Sequence, residues 1–218
     1  MDIGFYDWVI ARDNAKNMTW AIASGLPDGT ESSAQGRLRW IREMLRQPRR
    51  SAPDNPMLGP RRPASNLARS DYTEAVRAVK DYIIAGDVYQ VNLAQRYEVS
   101  LPCSSWSLYR RLRAVNPAPF CAYLEYPNLA VLSASPEQFV HLRDGIATSR
   151  PMKGTRPRGM NTTEDNRLAN ELLASEKDRA ENVMIVDLVR SDLGKVCIPG
   201  SIEVPKLFAI EKYPTVWQ

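Results

Sequence analysis

The chain has 218 residues, 44% of them hydrophobic and 25% charged, with a formal net charge of +4. That composition excludes a disordered or fibrous chain and allows one large or two small globular domains. The charge is mild, and suits an anionic small molecule as well as it suits nucleic acid.

Taken in chain order, Phe5 to Ile10 reads as a strand. Gln35 to Leu45 reads as a helix with Leu38, Ile41, Met44 and Leu45 on one face. A stretch of about 45 residues is too short to hold an independent core, so residues 1–46 are expected to be the remnant of a larger N-terminal region. From Gln47 to Asn66 proline and arginine dominate and core-forming residues are scarce, the composition of a solvated linker. Arg49, Arg50, Arg61 and Arg62 lack the interleaved aromatic residues of a stacking platform, so no nucleic-acid partner is expected.

Residues 67–218 carry the rest. Ser70 can cap a helix with Tyr72, Val76, Val79 and Ile83 at helical spacing and a stop at Gly86. In Val88 to Val99, apolar Tyr89, Val91, Leu93, Tyr97 and Val99 alternate with polar Gln90, Asn92, Arg96 and Glu98, the pattern of a strand. A helix over Trp106–Val115 leads into strands over Phe120–Tyr126, Ala130–Ser133, Phe139–Leu142 and Ile146–Ser149, with Pro-Asn and Asp-Gly turns that suggest an antiparallel meander. Two helical stretches follow between Thr163 and Asp192, the second opened by Ser175 and ended at Gly194, and strands return towards Gln218. Val183 to Val189 is apolar nearly all round. This predicts a buried helix whose Asp187 needs a partner, with Arg190 the candidate. Strands mixed irregularly with helices indicate an α+β fold rather than a doubly wound sheet.

Cys103, Cys121 and Cys197 are odd in number and widely spaced, which argues against a disulfide framework or a zinc site. No run of 18 apolar residues occurs and Met1 to Phe5 lacks the regions of a signal peptide, so a cytoplasmic chain with no membrane partner is expected.

Lys153 lies just beyond a strand in Pro151-Met152-Lys153-Gly154-Thr155, with Arg156 and Arg158 close behind. Crowded cations or desolvation would leave a nucleophilic amine there, while the neighbouring charges hold an anion. The plainer alternative is a surface lysine in a basic loop. Glu137 follows Ser135-Pro136 at a strand start, where a sheltered carboxyl could donate a proton. Asp178 and Glu181, three apart on a helix, share a face suited to a hard cation such as magnesium, or to salt bridges with Lys177 or Arg179. His141, the one histidine, has no nucleophile to serve.

These segments together resemble the chorismate-binding enzymes. The residues that carry the likeness are Gly86 to Arg96 with Tyr89-Gln90-Val91-Asn92-Leu93, Ser135-Pro136-Glu137, Pro151 to Gly159, and Glu176 to Gly194. It is clear from about Ser70 onward and fainter over Gly4 to Leu45. The resemblance implies a partial chorismate-binding fold, antiparallel sheets flanked by helices, in a chain about half the family's length and truncated at its C-terminus. Within the family, a lysine at the Lys153 position marks the aminodeoxychorismate synthase component I subgroup, where anthranilate synthase component I typically carries alanine.

On that likeness Lys153 would be the nucleophile and Glu137 the general acid. Gly154, Thr155 and Asn92 would bind substrate, and Asp178 and Glu181 would hold Mg2+. Chorismate and ammonia would be the substrates, the ammonia coming from a glutaminase subunit of the amidotransferase type. The short chain alone is expected to be inactive, and the alternatives are anthranilate synthase component I or a non-catalytic fragment.

Overall fold

The computed structural model describes residues 3–48 and 62–218. The chain divides into two compact units, Met1–Pro53 and Asp54–Gln218. The division falls within the stretch expected to be linker, of which residues 49–61, including Arg49, Arg50 and Arg61, lie outside the described residues.

The first unit pairs β1 (Trp8–Asp13) with β2 (Met18–Ala23) as an antiparallel hairpin and lays α1 (Glu31–Arg46) against it. The expected first strand is thus displaced by three residues, because the hairpin register couples Trp8 to Ala23. Thr30 caps α1 by accepting from the Ser33 amide at 3.2 Å. Ile41 is fully buried and Leu38 and Met44 half-buried, but Leu45 turns out to solvent. Trp8 meets Trp40 edge to face at 5.6 Å, and Arg37 pairs with Asp7 at 2.7 Å.

In the second unit β3 (Ala64–Ser65) precedes α2 (Arg69–Ala85), which ends at Gly86 in the left-handed region. Ser70 is not the cap: it lies inside the helix with its hydroxyl on Asp71, and Ala68 occupies the cap position without a side-chain bond. The expected strand from Val88 to Val99 shrinks to β4 (Tyr97–Glu98), paired with β3. Its backbone finds no neighbouring strand over Val88–Arg96, and alternation alone cannot satisfy a ladder; Tyr89 is 88% exposed.

Ser104 caps α3 (Ser105–Val115), which packs on a hairpin of β5 (Phe120–Tyr126) and β6 (Leu129–Ser135). Trp106, Tyr109 and Tyr123 lie 5.1–5.6 Å apart at that junction, and the Ser105 and Tyr123 hydroxyls share a hydrogen bond. A second hairpin joins β7 (Gln138–Arg143) to β8 (Ile146–Arg150) through Asp144-Gly145, both at positive φ as a tight turn of this hand needs. The four strands form two separate hairpins rather than one meander, since Pro136 and Glu137 interrupt the chain between β6 and β7.

β9 (Arg156–Pro157) is followed by α4 (Thr162–Ala174), capped by Asn161, and α5 (Glu176–Gly194), capped by Ser175. The chain then returns as β10 (Val216–Trp217) to pair antiparallel with β9. Leu168, Ala169 and Leu172 of α4 are buried. No residue of α5 is, contrary to the burial expected from its apolar stretch; it touches α4 and meets the loops at Gly154 and Phe208, and these contacts do not cover an all-round apolar helix. Asp187 does pair with Arg190, at 2.8 Å. The architecture is α+β, antiparallel hairpins with helices laid on them. Among the described residues no helix is long and apolar enough to cross a membrane, and all three cysteines are free thiols.

Truncating Leu172, 4% exposed, to alanine is expected to cost about 2–5 kcal/mol. Leu188→Ala, at a side chain 58% exposed on α5, should stay within about 0.5 kcal/mol. Urea unfolding midpoints of the two variants read the difference.

Candidate functional site

Pro151 to Gly159 crosses from β8 through β9 to α4, held by two arginines and two glycines. Gly154, at φ +83, approaches α4 and α5 so closely that an added Cβ would stand 2.7 Å from Leu172 Cδ1 and 3.0 Å from Asp178. At Gly159 a Cβ would strike the Asp165 backbone.

Arg156 donates from Nε to Glu171 at 2.9 Å, from Nη2 to Asp178 at 3.1 Å, and from Nη1 to the Thr155 carbonyl at 3.0 Å. These bonds, led by that to Glu171, hold the Arg156 pKa above its ordinary value. Arg158 forks onto Asp165 at 2.7 and 2.6 Å and donates to the Tyr213 carbonyl. The Asp165 carboxylate also accepts from the Gly159 amide at 3.0 Å and the Trp217 indole at 2.9 Å. The Arg158 fork, then the Gly159 and Trp217 bonds, hold that carboxyl well below the usual range.

Lys153 lines a shallow cleft of about 40 Å³ with Leu172, Asp178, Arg179, Asn182, Phe208 and Gln218 among its walls. Lys153 makes no hydrogen bond or ion pair with any described residue. Glu137 lies alongside: its Oε1 accepts from the Met152 amide, next to Lys153, at 3.0 Å. Glu137 is exposed rather than sheltered. The Thr155 hydroxyl accepts from Nε2 of Gln218, one of the cleft walls, at 3.2 Å. Thus Lys153, Glu137, Gly154, Thr155 and Asp178 come together. Asn92 does not join them; it is exposed in the stretch expected to be strand and is absent from the cleft walls.

Asp178 and Glu181 do not by themselves make a magnesium site. Asp178 is engaged by Arg156, while Glu181 lies 3.8 Å from Lys177 and outside the cleft walls. Among the described residues no three His, Cys, Asp or Glu side chains gather where a cation could sit, and magnesium demands six oxygens in near-octahedral order. His141 is exposed on β7.

Sequence reasoning missed Asp165, Trp217 and Tyr213. Asp165 could have been suspected as an acid near a helix start with Arg158 seven residues before it, but Trp217, which also binds it, lies 52 residues on, and no local pattern signals that pairing.

A family model described as chorismate binding enzyme matches residues 1–218. Aminodeoxychorismate synthase component 1 of Salmonella typhimurium is 41% identical over 216 residues, 99% of this chain and 45% of the relative. Anthranilate synthase component 1 of Thermus thermophilus is 39% identical over 208 residues, 95% of this chain and 44% of the relative. The crystal structure of anthranilate synthase component I from Streptococcus pneumoniae superposes with a TM-score of 0.81 at 26% identity, covering 97% of this chain and 48% of that one. The chain belongs to the chorismate-binding enzymes, and it spans about half the length of the relatives it matches.

Because the folded Asp165 pKa lies below that of a free aspartate, about 3.9, its stabilisation is complete above that value and lost as pH falls through and below it. Between pH 4 and pH 2 the wild-type unfolding midpoint should therefore drop more steeply than that of Asp165→Asn. The variant starts lower at pH 7. For the cation, calorimetric titration of magnesium into the chain without substrate should give no saturable binding in the micromolar range.

Proposed function

We propose that these residues supply the lysine-bearing part of the active site of an aminodeoxychorismate synthase component I, acting on chorismate. The observation that carries this reading is Lys153: an amine without a partner at an open cleft, one residue from the amide that Glu137 binds. Relatives named aminodeoxychorismate synthase component 1, from Salmonella typhimurium at 41% and Escherichia coli at 36%, support it.

In this reading the neutral Lys153 amine adds to ring carbon 2 of chorismate. Both ring double bonds shift, the carbon–oxygen bond at carbon 4 breaks, and Glu137 protonates the departing hydroxyl to release water. Ammonia then adds at carbon 4, both double bonds shift back, and the bond from carbon 2 to Lys153 breaks, freeing the lysine and 4-amino-4-deoxychorismate. The exposed Glu137 can exchange its proton with water between the two steps. The ammonia would come from a glutaminase partner, in keeping with the "component 1" in the relatives' names, and the product would serve para-aminobenzoate and folate synthesis in the cytoplasm. No step is routed through magnesium, because Asp178 and Glu181 are each already engaged by a cation. A cleft of about 40 Å³ is far below the roughly 300–1,000 Å³ of ligand pockets, so the 218 residues alone should not turn over chorismate.

A second reading, anthranilate synthase component I, is favoured by the Thermus thermophilus relative at 39% identity. One assay separates the two. The chain is joined to the remaining half of the Salmonella typhimurium relative and given chorismate, magnesium and ammonium. Formation of 4-amino-4-deoxychorismate is expected, with a loss of at least about a hundredfold in Lys153→Ala. Anthranilate as the product, undiminished in that variant, would sink the proposal.

A further inference from the structure

Lys153 and Asp178 line the same cleft, yet they are not paired. An ammonium and a carboxylate placed so near would ordinarily meet. Asp178 instead gives its Oδ2 to Arg156, whose Nε is on Glu171 and whose Nη1 is on the Thr155 carbonyl. A planar guanidinium, with donors spread over three nitrogens in a fixed fork, serves two carboxylates and a carbonyl at once. The pair is not a loose surface contact: the Arg156 and Asp178 side chains are 23% and 14% exposed. The close approach of Gly154 to Asp178 Cβ fixes the loop at the same place. The other charged wall residue, Arg179, has its guanidinium over the Phe208 ring at 4.6 Å and adds no carboxylate.

We propose that Arg156 is a positioning residue: by occupying the Asp178 carboxylate and tying it to Glu171, it keeps the Lys153 amine unpaired and open to an electrophile. Its importance to catalysis rests on the reading of Lys153 as the nucleophile, whereas the arrangement itself does not. Removing Arg156 releases a carboxylate into the cleft, and Lys153 closes onto it.

The test is competitive acetylation of the 218-residue chain with acetic anhydride at one fixed pH, the Lys153 peptide being quantified by mass spectrometry against Lys177, which is 82% exposed. In Arg156→Gln, labelling of Lys153 relative to Lys177 should fall roughly two- to fivefold, the scale of a partly exposed ion pair. Adding Asp178→Asn to that variant should restore the wild-type ratio, and Asp178→Asn alone should not lower it. A purely structural role predicts the opposite, since a loosened loop labels faster and a second lesion cannot rescue it. Faster labelling, an unchanged ratio, or failure of the double variant to recover each overturns the proposal. If Arg156→Gln does not fold, Arg156→Lys replaces it; this retains one cation but loses the fixed fork that spans both carboxylates, so a smaller fall, again reversed by Asp178→Asn, is expected. Acetylation involves no chorismate. Loss of turnover in the joined protein with this labelling pattern intact would count against the proposed function alone, and the reverse against Arg156 alone.

Discussion

The second unit depends on one carboxylate. Asp165 sits in the first turn of α4, where the helix N-terminus already favours a negative charge, and it gathers an arginine fork, a backbone amide and an indole N–H. Those donors come from Arg158 just beyond β9, from Gly159 in the turn before α4, and from Trp217 of β10 at the far end of the chain. Two-residue strands such as β9 and β10 are too short to hold by their own ladder. What keeps them paired is that Arg158 and Trp217 meet on the same oxygens, with the Arg158 guanidinium also 5.1 Å from the Trp217 ring centre. Without the carboxylate, two donors and a guanidinium would face one another unsatisfied, so the lysine loop and the returning chain would separate together.

That dependence explains how the lysine loop can be both exposed and ordered. Loops that carry chemistry usually lie on the surface and are fixed by the scaffold beneath them. Here the fixing follows directly on Lys153: Gly154 and Arg156 press the loop on α4 and α5, and Arg158 and Gly159 anchor it to the first turn of α4. Arg156 and Arg158 are two apart, so along the short extended stretch of β9 they project to the same side. The alternation that builds strands thus also delivers both guanidinium groups to the two helices.

Local signals in the sequence located most of the fold. Gly86, Ser175 and Asp144-Gly145 each act within a few residues, and each stands where its chemistry requires: a left-handed stop, an N-cap, and a tight hairpin turn. The errors were of another kind. Val88 to Val99 has a strand's alternation, but a strand also needs a neighbour, and its neighbour is named by no property of the segment itself. Val183 to Val189 has a buried helix's composition, but burial is a property of what covers the helix, and here that is α4 and the loops at Gly154 and Phe208. For the site, Lys153, Glu137, Gly154 and Thr155 were found from motif wording; Lys153 lines the cleft, Gly154 and Thr155 follow it in the loop, and Glu137 is bonded to the Met152 amide beside it. Asn92 was found the same way and stands apart, since shared wording does not place residues side by side. Asp165 was missed because Trp217 is joined to it only by the fold.

The pairing of charges around the lysine bears on how it could react. An amine attacks only when it is unprotonated and unobstructed, and enclosure in an apolar pocket is the usual route to both. Lys153 has no such enclosure, since its cleft is small and open. What the neighbours supply is an unobstructed amine: Arg156 takes up the Asp178 carboxylate, and Arg179 adds a second cation to the walls. Both leave the cleft attractive to a substrate that carries carboxylates of its own. The same arrangement weakens the case for a cation bound at Asp178, since a guanidinium already fills the place a metal would take. In this family member the positive charge that occupies Asp178 is built into the chain, two residues beyond Gly154 on the strand that β10 holds in place.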